Sequence, residues 1–191
     1  MRLPYAPTDP KDASPETQAI YDRIKERRKP RPLIPLDLAL LHNPKIADGF
    51  NTLMGAIRTS SSLDTGLMEL AVCFVAVLNN AVYEWTAHAP LALKAGVSRQ
   101  ALAAVLEGQV KDEARLSEVE REVLEFTRQS TKEIEVGDDV MERLRGKSGL
   151  SDQQVVELTM TVAGYNMVSR FLVALDVTES NGKEMKMPAE T

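Results

Sequence analysis

Cysteine and histidine are scarce in this chain of 191 residues. It contains one cysteine, Cys73, and two histidines, His42 and His88. A single cysteine excludes an intramolecular disulfide and any thiol pair for redox chemistry or zinc binding within one chain. Cys73 lies in an apolar run, so we expect it to be a small buried side chain. With so few imidazole and thiol ligands, we expect neither a metal ion nor a cofactor.

Long apolar runs and clustered positive charge are also missing. No stretch reaches the roughly 18 uninterrupted apolar residues of a membrane span. The first residues, MRLPYAPTDPKD, lack the apolar core of a secretory signal, which predicts a cytoplasmic protein with no membrane partner. The net charge of -5 argues against nucleic acid as a partner, because phosphate binding needs a basic face.

The residues that are present predict one helical domain. Hydrophobic residues make up 43% of the chain and charged residues 27%, as in ordinary globular proteins. Proline-rich sequence separates an N-terminal arm with a short helix, residues 1–35, from a longer region, residues 36–178. Apolar residues there recur at helical spacing without strand alternation, so we predict an all-α single-domain protomer of about seven or eight helices. Residues 179–191 form a polar tail that we expect to fray.

Two of the predicted helices have apolar patterns that indicate buried faces. After residue 44, a helical stripe that we expect to face the core contains Ile46, Phe50, Leu53, Met54 and Ile57. The next helix carries Glu69 and is apolar almost all round over residues 70–78. Such a helix is central in the fold or buried between subunits, so we also expect self-association.

Glu84 and His88 are the first candidate catalytic pair. Side chains four residues apart share one face of a helix and can interact directly. A carboxylate can orient an imidazole and raise its basicity, as general acid–base catalysis requires. The alternative is an exposed ion pair. Tyr83, Trp85 and Asn80 surround the pair and could line a pocket, although Trp85 could equally be a core or interface anchor.

Glu69 is the second unusual carboxylate, because it lies on an apolar helix. A continuous helix would place Glu69 and Glu84 about 22 Å apart. They can share a site only if the chain reverses near residues 79–80 or if another subunit supplies one of them. Alternatively, Glu69 only interacts with the dipole at the start of its helix.

The spacing of these residues resembles a known superfamily. Glu69 is followed twelve residues later by Ala81, then by Glu84 and His88, and the chain continues as HxxxAxxxGVSRQAL. This pattern resembles the carboxymuconolactone decarboxylase and alkyl hydroperoxidase D-like superfamily. The last predicted helix, with Gly-Tyr-Asn at 164–166, is similar to the closing helix of that superfamily. The resemblance extends over roughly residues 45–177.

The resemblance favours the decarboxylase branch of the superfamily over the peroxidase branch. The peroxidase signature is E-x11-C-x2-C-x3-H, and Ala81 and Glu84 occupy its two cysteine positions here. Thiol peroxidase activity is therefore not expected. The resemblance also implies trimers, or multiples of three, of helical protomers.

The expected function is that of a cofactor-free enzyme that decarboxylates a small carboxylated or lactone-type metabolite. In this interpretation His88 donates or shuttles a proton, Glu84 orients it, and Glu69 is a second acid or base. The expected substrate-binding residues are Tyr83, Trp85, Asn80, Tyr165 and Arg170.

Two alternatives to decarboxylation stay open. The same Glu/His pair could serve an isomerase, a dehydratase or a lactone hydrolase. The chain could also be a non-catalytic helical oligomer that binds a small molecule.

Overall fold

A computed structural model describes residues 1–189 and confirms the all-α prediction. Over that range the chain forms nine α-helices and a short 3-10 helix, with no β-strand. The elements are α1 (Pro15–Arg28), α2 (Pro35–Leu40), α3 (Pro44–Thr59), α4 (Thr65–Leu78), α5 (Val82–Lys94), α6 (Arg99–Leu106), α7 (Glu118–Lys132), α8 (Asp138–Gly146), α9 (Asp152–Leu175) and the 3-10 helix Val177–Glu179.

The chain divides into two compact units. The first contains Met1–Ser60 and Leu175–Glu179. Proline occupies the first helical position of α1, α2 and α3, where its missing N–H costs no hydrogen bond. Within this unit the fully buried carboxylate of Asp37 accepts two hydrogen bonds from the Arg28 guanidinium, each 2.7 Å long, so the burial of its charge is compensated.

The core face of α3 agrees with the predicted stripe in its second half only. Met54 and Ile57 are buried as predicted, whereas Ile46 is 60% exposed and Leu53 39% exposed. Asn51 is also buried, where its side chain accepts a hydrogen bond from Arg27 and donates one to the Ala47 carbonyl. The prediction was wrong for Ile46 and Leu53, because Asn51, a buried polar residue satisfied by hydrogen bonds, lies on the inward face of this helix with Met54 and Ile57.

The second unit contains Ser61–Ala174 and the described tail from Ser180. Helix α4 is its centre and packs against α5, α6 and α7. Every side chain from Met68 to Ala76 is buried, as the apolar pattern of this segment predicted. A loop before α4 is held by Glu157, whose carboxylate accepts hydrogen bonds from the backbone N–H groups of Ser62 and Leu63.

The chain reverses between α4 and α5 at two asparagines. Asn79 ends α4, and Asn80 adopts a left-handed conformation with φ of 52°. The N–H of Ala81 then donates to the Ala76 carbonyl at 2.8 Å, which closes the end of the helix. Asparagine tolerates this conformation better than most residues do. The reversal folds α5 back along α4, so residues far apart in sequence become neighbours.

The tail is attached to the second unit by specific contacts. The indole N–H of Trp85 donates to the Lys186 carbonyl at 2.8 Å, and Arg99 donates to the Pro188 carbonyl. Met185 and Met187 pack against the core of α4, α5 and α6. The expectation that the tail frays is therefore corrected for residues 180–188.

Within residues 1–189, one helix is long and apolar enough to span a membrane. It is α9, with 24 residues and a mean hydropathy of 1.2 over its most apolar window. Half of that window is buried inside the protein, as in the core helix of a folded domain. The cytoplasmic location stays a prediction.

Candidate active site

A buried glutamate and a histidine face each other across the α4–α5 reversal. The Nδ1 atom of His88 lies 2.7 Å from Oε2 of Glu69. The Glu69 side chain is 2% exposed and that of His88 14% exposed, so the pair is largely shielded from water while the imidazole reaches the surface. A hydrogen bond between these groups is stronger in such surroundings than it would be in water.

This contact determines how the imidazole can work. A carboxylate only accepts hydrogen bonds, so Nδ1 carries a proton and donates a hydrogen bond to Glu69. The other ring nitrogen, Nε2, is then the atom that can exchange a proton with a substrate. An imidazole oriented by a carboxylate is a common arrangement for general acid–base chemistry.

Helix α9 covers the imidazole from another side. The ring of Tyr165 meets that of His88 edge to face, with 4.9 Å between centroids and 83° between planes. Tyr165 is 3% exposed. Its ring and the Glu69 carboxylate together restrict the orientation of His88, so the predicted site residue Tyr165 does lie beside the catalytic candidate.

Glu84 has a different partner from the one predicted. Its carboxyl is 1% exposed, and Oε1 accepts a hydrogen bond of 2.9 Å from the Ser169 hydroxyl on α9. The prediction that Glu84 orients His88 is therefore corrected: Glu69 makes that contact. Sequence spacing places Glu84 and His88 on one helix face, but the packing of α4 and α9 decides which groups fill the space around each.

Burial controls the protonation of Glu84. It raises the pKa of the Glu84 carboxyl well above the ordinary 4.5, and the hydrogen bond from Ser169 opposes that rise only in part. Its Oε2 atom is buried and has no hydrogen-bond partner among residues 1–189. The environment of Glu84 therefore favours a neutral carboxylic acid.

Cys73 lies near both glutamates. Burial raises the pKa of its thiol well above the ordinary value, and the neighbouring Glu69 and Glu84 carboxyl groups raise it further. Cys73 is one helical turn after Glu69 on α4 and is fully buried. It is therefore a neutral thiol in the hydrophobic core, as expected for a small buried side chain.

A second polar cluster fixes the reversal to the rest of the unit. Asn79 donates to the side-chain oxygen of Asn166 at 3.0 Å, and Asn166 donates to the Thr131 hydroxyl at 2.9 Å. The Arg170 guanidinium donates to the backbone and side-chain oxygens of Asn166. This cluster joins α7 and α9 to the turn that brings Glu69 and His88 together.

Sequence reasoning missed the supporting residues Ser169, Asn166, Asn79 and Thr131. Polar residues in the otherwise apolar α9 were the available signal, since a polar group facing a core needs a partner. Their partners lie 35 to 87 residues away in sequence, and no local spacing rule identifies such pairs.

The remaining predicted site residues have different surroundings. Trp85 is 1% exposed within the hydrophobic core. Of its two predicted roles, pocket lining and anchor, this position fits a core anchor. Asn80 is exposed and forms the turn, which corrects its predicted position in the pocket lining. Tyr83 is half-buried beside Glu84, and Arg170 is an exposed residue of α9. Binding of substrate by Tyr83 or Arg170 stays a prediction.

The arrangement of acidic, thiol and imidazole side chains gives no candidate metal centre within residues 1–189. No group of three or more histidine, cysteine, aspartate and glutamate side chains in that range is placed to hold a metal ion. Glu69 and His88 are one pair, and Glu84 is bonded to Ser169.

The central helices of the chain resemble a known protein family. Residues 44–129 match the model of the carboxymuconolactone decarboxylase family. This match and the all-helical fold both agree with the carboxymuconolactone decarboxylase and alkyl hydroperoxidase D-like superfamily. The resemblance inferred from the motif is confirmed.

Solved structures share the fold over most of the chain. An uncharacterised peroxidase-related protein from Ralstonia eutropha JMP134 has a TM-score of 0.77 and 21% identity, with 92% of this chain and 90% of that one covered. A peroxidase-related protein from Silicibacter sp. TM1040 has a TM-score of 0.73 and 20% identity, with 94% and 95% covered.

A third similar structure is an enzyme with a bound ligand. It is a cysteine-to-alanine variant of the debrominase Bmp8 in complex with 2,3,4-tribromopyrrole, with a TM-score of 0.66, 18% identity and 88% of each chain covered. No curated protein sequence matches this chain. Likenesses at this level of identity define the fold and leave the reaction to be argued from the site.

Proposed function

We propose that this protein is a cofactor-free acid–base enzyme that decarboxylates a small carboxylated or lactone-type metabolite. The observation that carries the proposal is the 2.7 Å contact between Glu69 and Nδ1 of His88, in a site with limited access to solvent. The match of residues 44–129 to the carboxymuconolactone decarboxylase family supports the same chemistry.

The proposed reaction needs a substrate whose carboxylate-bearing carbon is conjugated to a carbonyl group. The bond to the carboxylate breaks, CO₂ leaves, and the electron pair moves onto the carbonyl oxygen as an enolate. The carbon that bore the carboxylate then takes a proton from Nε2 of His88, and the enolate returns to the keto form. Water resupplies the proton to His88, so the net change is loss of CO₂ and gain of one proton.

Glu69 supports this step by holding the imidazole. It stabilises the positive charge on His88 before the proton is transferred and keeps Nε2 oriented towards the substrate. Tyr165 restricts the ring from its other side. Tyr83 and Arg170 are the proposed substrate contacts, with Arg170 able to bind a carboxylate through two parallel hydrogen bonds.

The test is incubation of a metabolite pool with the wild-type protein and with His88→Ala, read by mass spectrometry. We expect a product lighter than its substrate by CO₂, formed at least about 100-fold more slowly by the variant. Circular dichroism checks that the variant keeps its helices. Undiminished turnover in His88→Ala would contradict the proposal.

Product mass also separates the alternatives. A hydrolase product gains water, a dehydratase product loses water, and an isomerase product keeps the substrate mass. If the pool contains a molecule that binds without any mass change or rearrangement, the chain is a binding protein rather than an enzyme.

A further inference from the structure

Glu84 has no role in the reaction as proposed so far, although it is among the most buried carboxyl groups of the chain. It lies in the first turn of α5, one turn before His88 and on the same face. Cys73 of α4 and Ser169 of α9 are its neighbours, and neither carries a positive charge. An ionised carboxylate without a cation is very unfavourable at such a position.

The hydrogen bond from Ser169 indicates which oxygen of a neutral Glu84 carboxyl carries the proton. In a neutral carboxylic acid the carbonyl oxygen is the better acceptor, and the hydroxyl oxygen is a donor. The Ser169 hydroxyl donates to Oε1, which makes Oε1 the carbonyl oxygen and leaves the proton on Oε2. Within residues 1–189, Oε2 is buried and has no partner, so this donor is unsatisfied until a ligand arrives.

We propose that Glu84 is a neutral carboxylic acid that donates a hydrogen bond from Oε2 to the substrate carbonyl oxygen, the atom that becomes negatively charged as CO₂ leaves. This role rests on the proposed decarboxylation. His88 and Glu84 are separated by about 6 Å along the helix axis. A substrate in contact with His88 would therefore have to extend by only one helical turn to meet Glu84, whose side chain is 1% exposed.

A neutral Glu84 also defines the class of substrate. Ionised, it would be a second negative charge beside Glu69 and would repel a carboxylated molecule. Neutral, it leaves one carboxylate, Glu69, which is compensated when His88 is protonated. The site then suits an anionic substrate with a carbonyl group conjugated to the carboxylate-bearing carbon, because the buried donor stabilises the enolate more than the neutral carbonyl.

Ser169 is a positioning residue in this account. It is fully buried, and its hydroxyl fixes which oxygen of Glu84 carries the proton. It acts on the substrate only through Glu84, so its removal should change the spectroscopic signature of the Glu84 carbonyl without abolishing the neutral acid.

Infrared difference spectroscopy tests the protonation state without a known substrate. At neutral pH, the wild-type spectrum minus that of Glu84→Gln should contain the carbonyl stretch of a neutral carboxylic acid. Ser169→Ala should keep this band and move it to higher frequency, because the carbonyl oxygen loses its donor. A difference spectrum with carboxylate bands only would overturn the proposal, and it would leave the test of His88 unaffected.

Turnover of the substrate found by pool incubation tests the donor role. Glutamine keeps a buried N–H donor, whereas leucine of similar size removes it. We expect Glu84→Gln to stay within about tenfold of the wild type and Glu84→Leu to lose about 100-fold or more. Equal losses in both variants would overturn the donor role. If the leucine variant does not fold, a loss of 100-fold or more in Glu84→Gln decides against it instead.

Discussion

At the scale of residues, the sequence identified the side chains of the candidate site but not which of them contact each other. Glu84 and His88 were recognisable as site residues from their spacing, and Glu69 from its position on an apolar helix. Their pairing was not predictable, because it depends on the antiparallel contact of α4 with α5 and on Ser169 from α9. Local spacing identifies which residues share a face, and tertiary packing selects the contacts.

The raised pKa of Glu84 predicts an unusual pH dependence of stability. Between the ordinary 4.5 and the raised value, the folded protein holds a proton that the unfolded chain has lost, so wild-type stability falls as pH rises through that window. Glutamine cannot ionise. The melting temperature of Glu84→Gln minus that of the wild type should therefore increase as the pH is raised from below 4.5 to neutral.

Glu157→Gln is a matched control, for which the change in stability with pH should have the opposite sign. Hydrogen bonds from Gln153, Ser62 and Ser61 lower the pKa of Glu157 to about 2. The unfolded chain then binds the extra proton between about 2 and 4.5, so the wild type gains stability as pH rises through that range. Relative to the wild type, Glu157→Gln should lose stability there, and parallel curves for the two variants would contradict the interpretation.

At the scale of elements, the sequence predicted helices well where composition alone decides the environment. The uniformly apolar α4 is central, as its composition predicted. Prediction failed in part on α3, where Met54 is buried as expected but the polar Asn51 is buried and the apolar Ile46 is exposed. It failed again on the tail, because Trp85 and Arg99 hold the tail by its backbone carbonyls. Every residue has such a carbonyl, so the tail sequence shows no sign of these contacts.

At the scale of the whole molecule, the exposed face of α9 supports the expected self-association. Val156, Met160, Ala163 and Met167 are exposed at alternating spacings of four and three residues. This spacing is that of a seam at which one helix packs against another. We propose that a second copy of this chain covers the seam, with trimers or multiples of three as the assembly that the superfamily resemblance implies.

Light scattering tests this assembly. The wild type should have a mass that is a multiple of the 21.1 kDa protomer, and a Met160→Glu/Met167→Glu double variant should shift towards the protomer mass. Ile134→Glu is the control, since Ile134 is 77% exposed but lies after the end of α7 rather than on α9. A wild-type mass of one protomer, or an unchanged mass in the double variant, would contradict the proposal.

The central claim is that Glu69 and His88 act as one unit, and a double-mutant cycle measures this most directly. Turnover of the identified substrate is compared for Glu69→Leu, His88→Ala and the combined variant. Groups that act together are non-additive, so the double variant should be no slower than His88→Ala, while Glu69→Leu alone already loses about 100-fold. Wild-type turnover in Glu69→Leu, or losses that multiply in the double variant, would show that the two residues work independently.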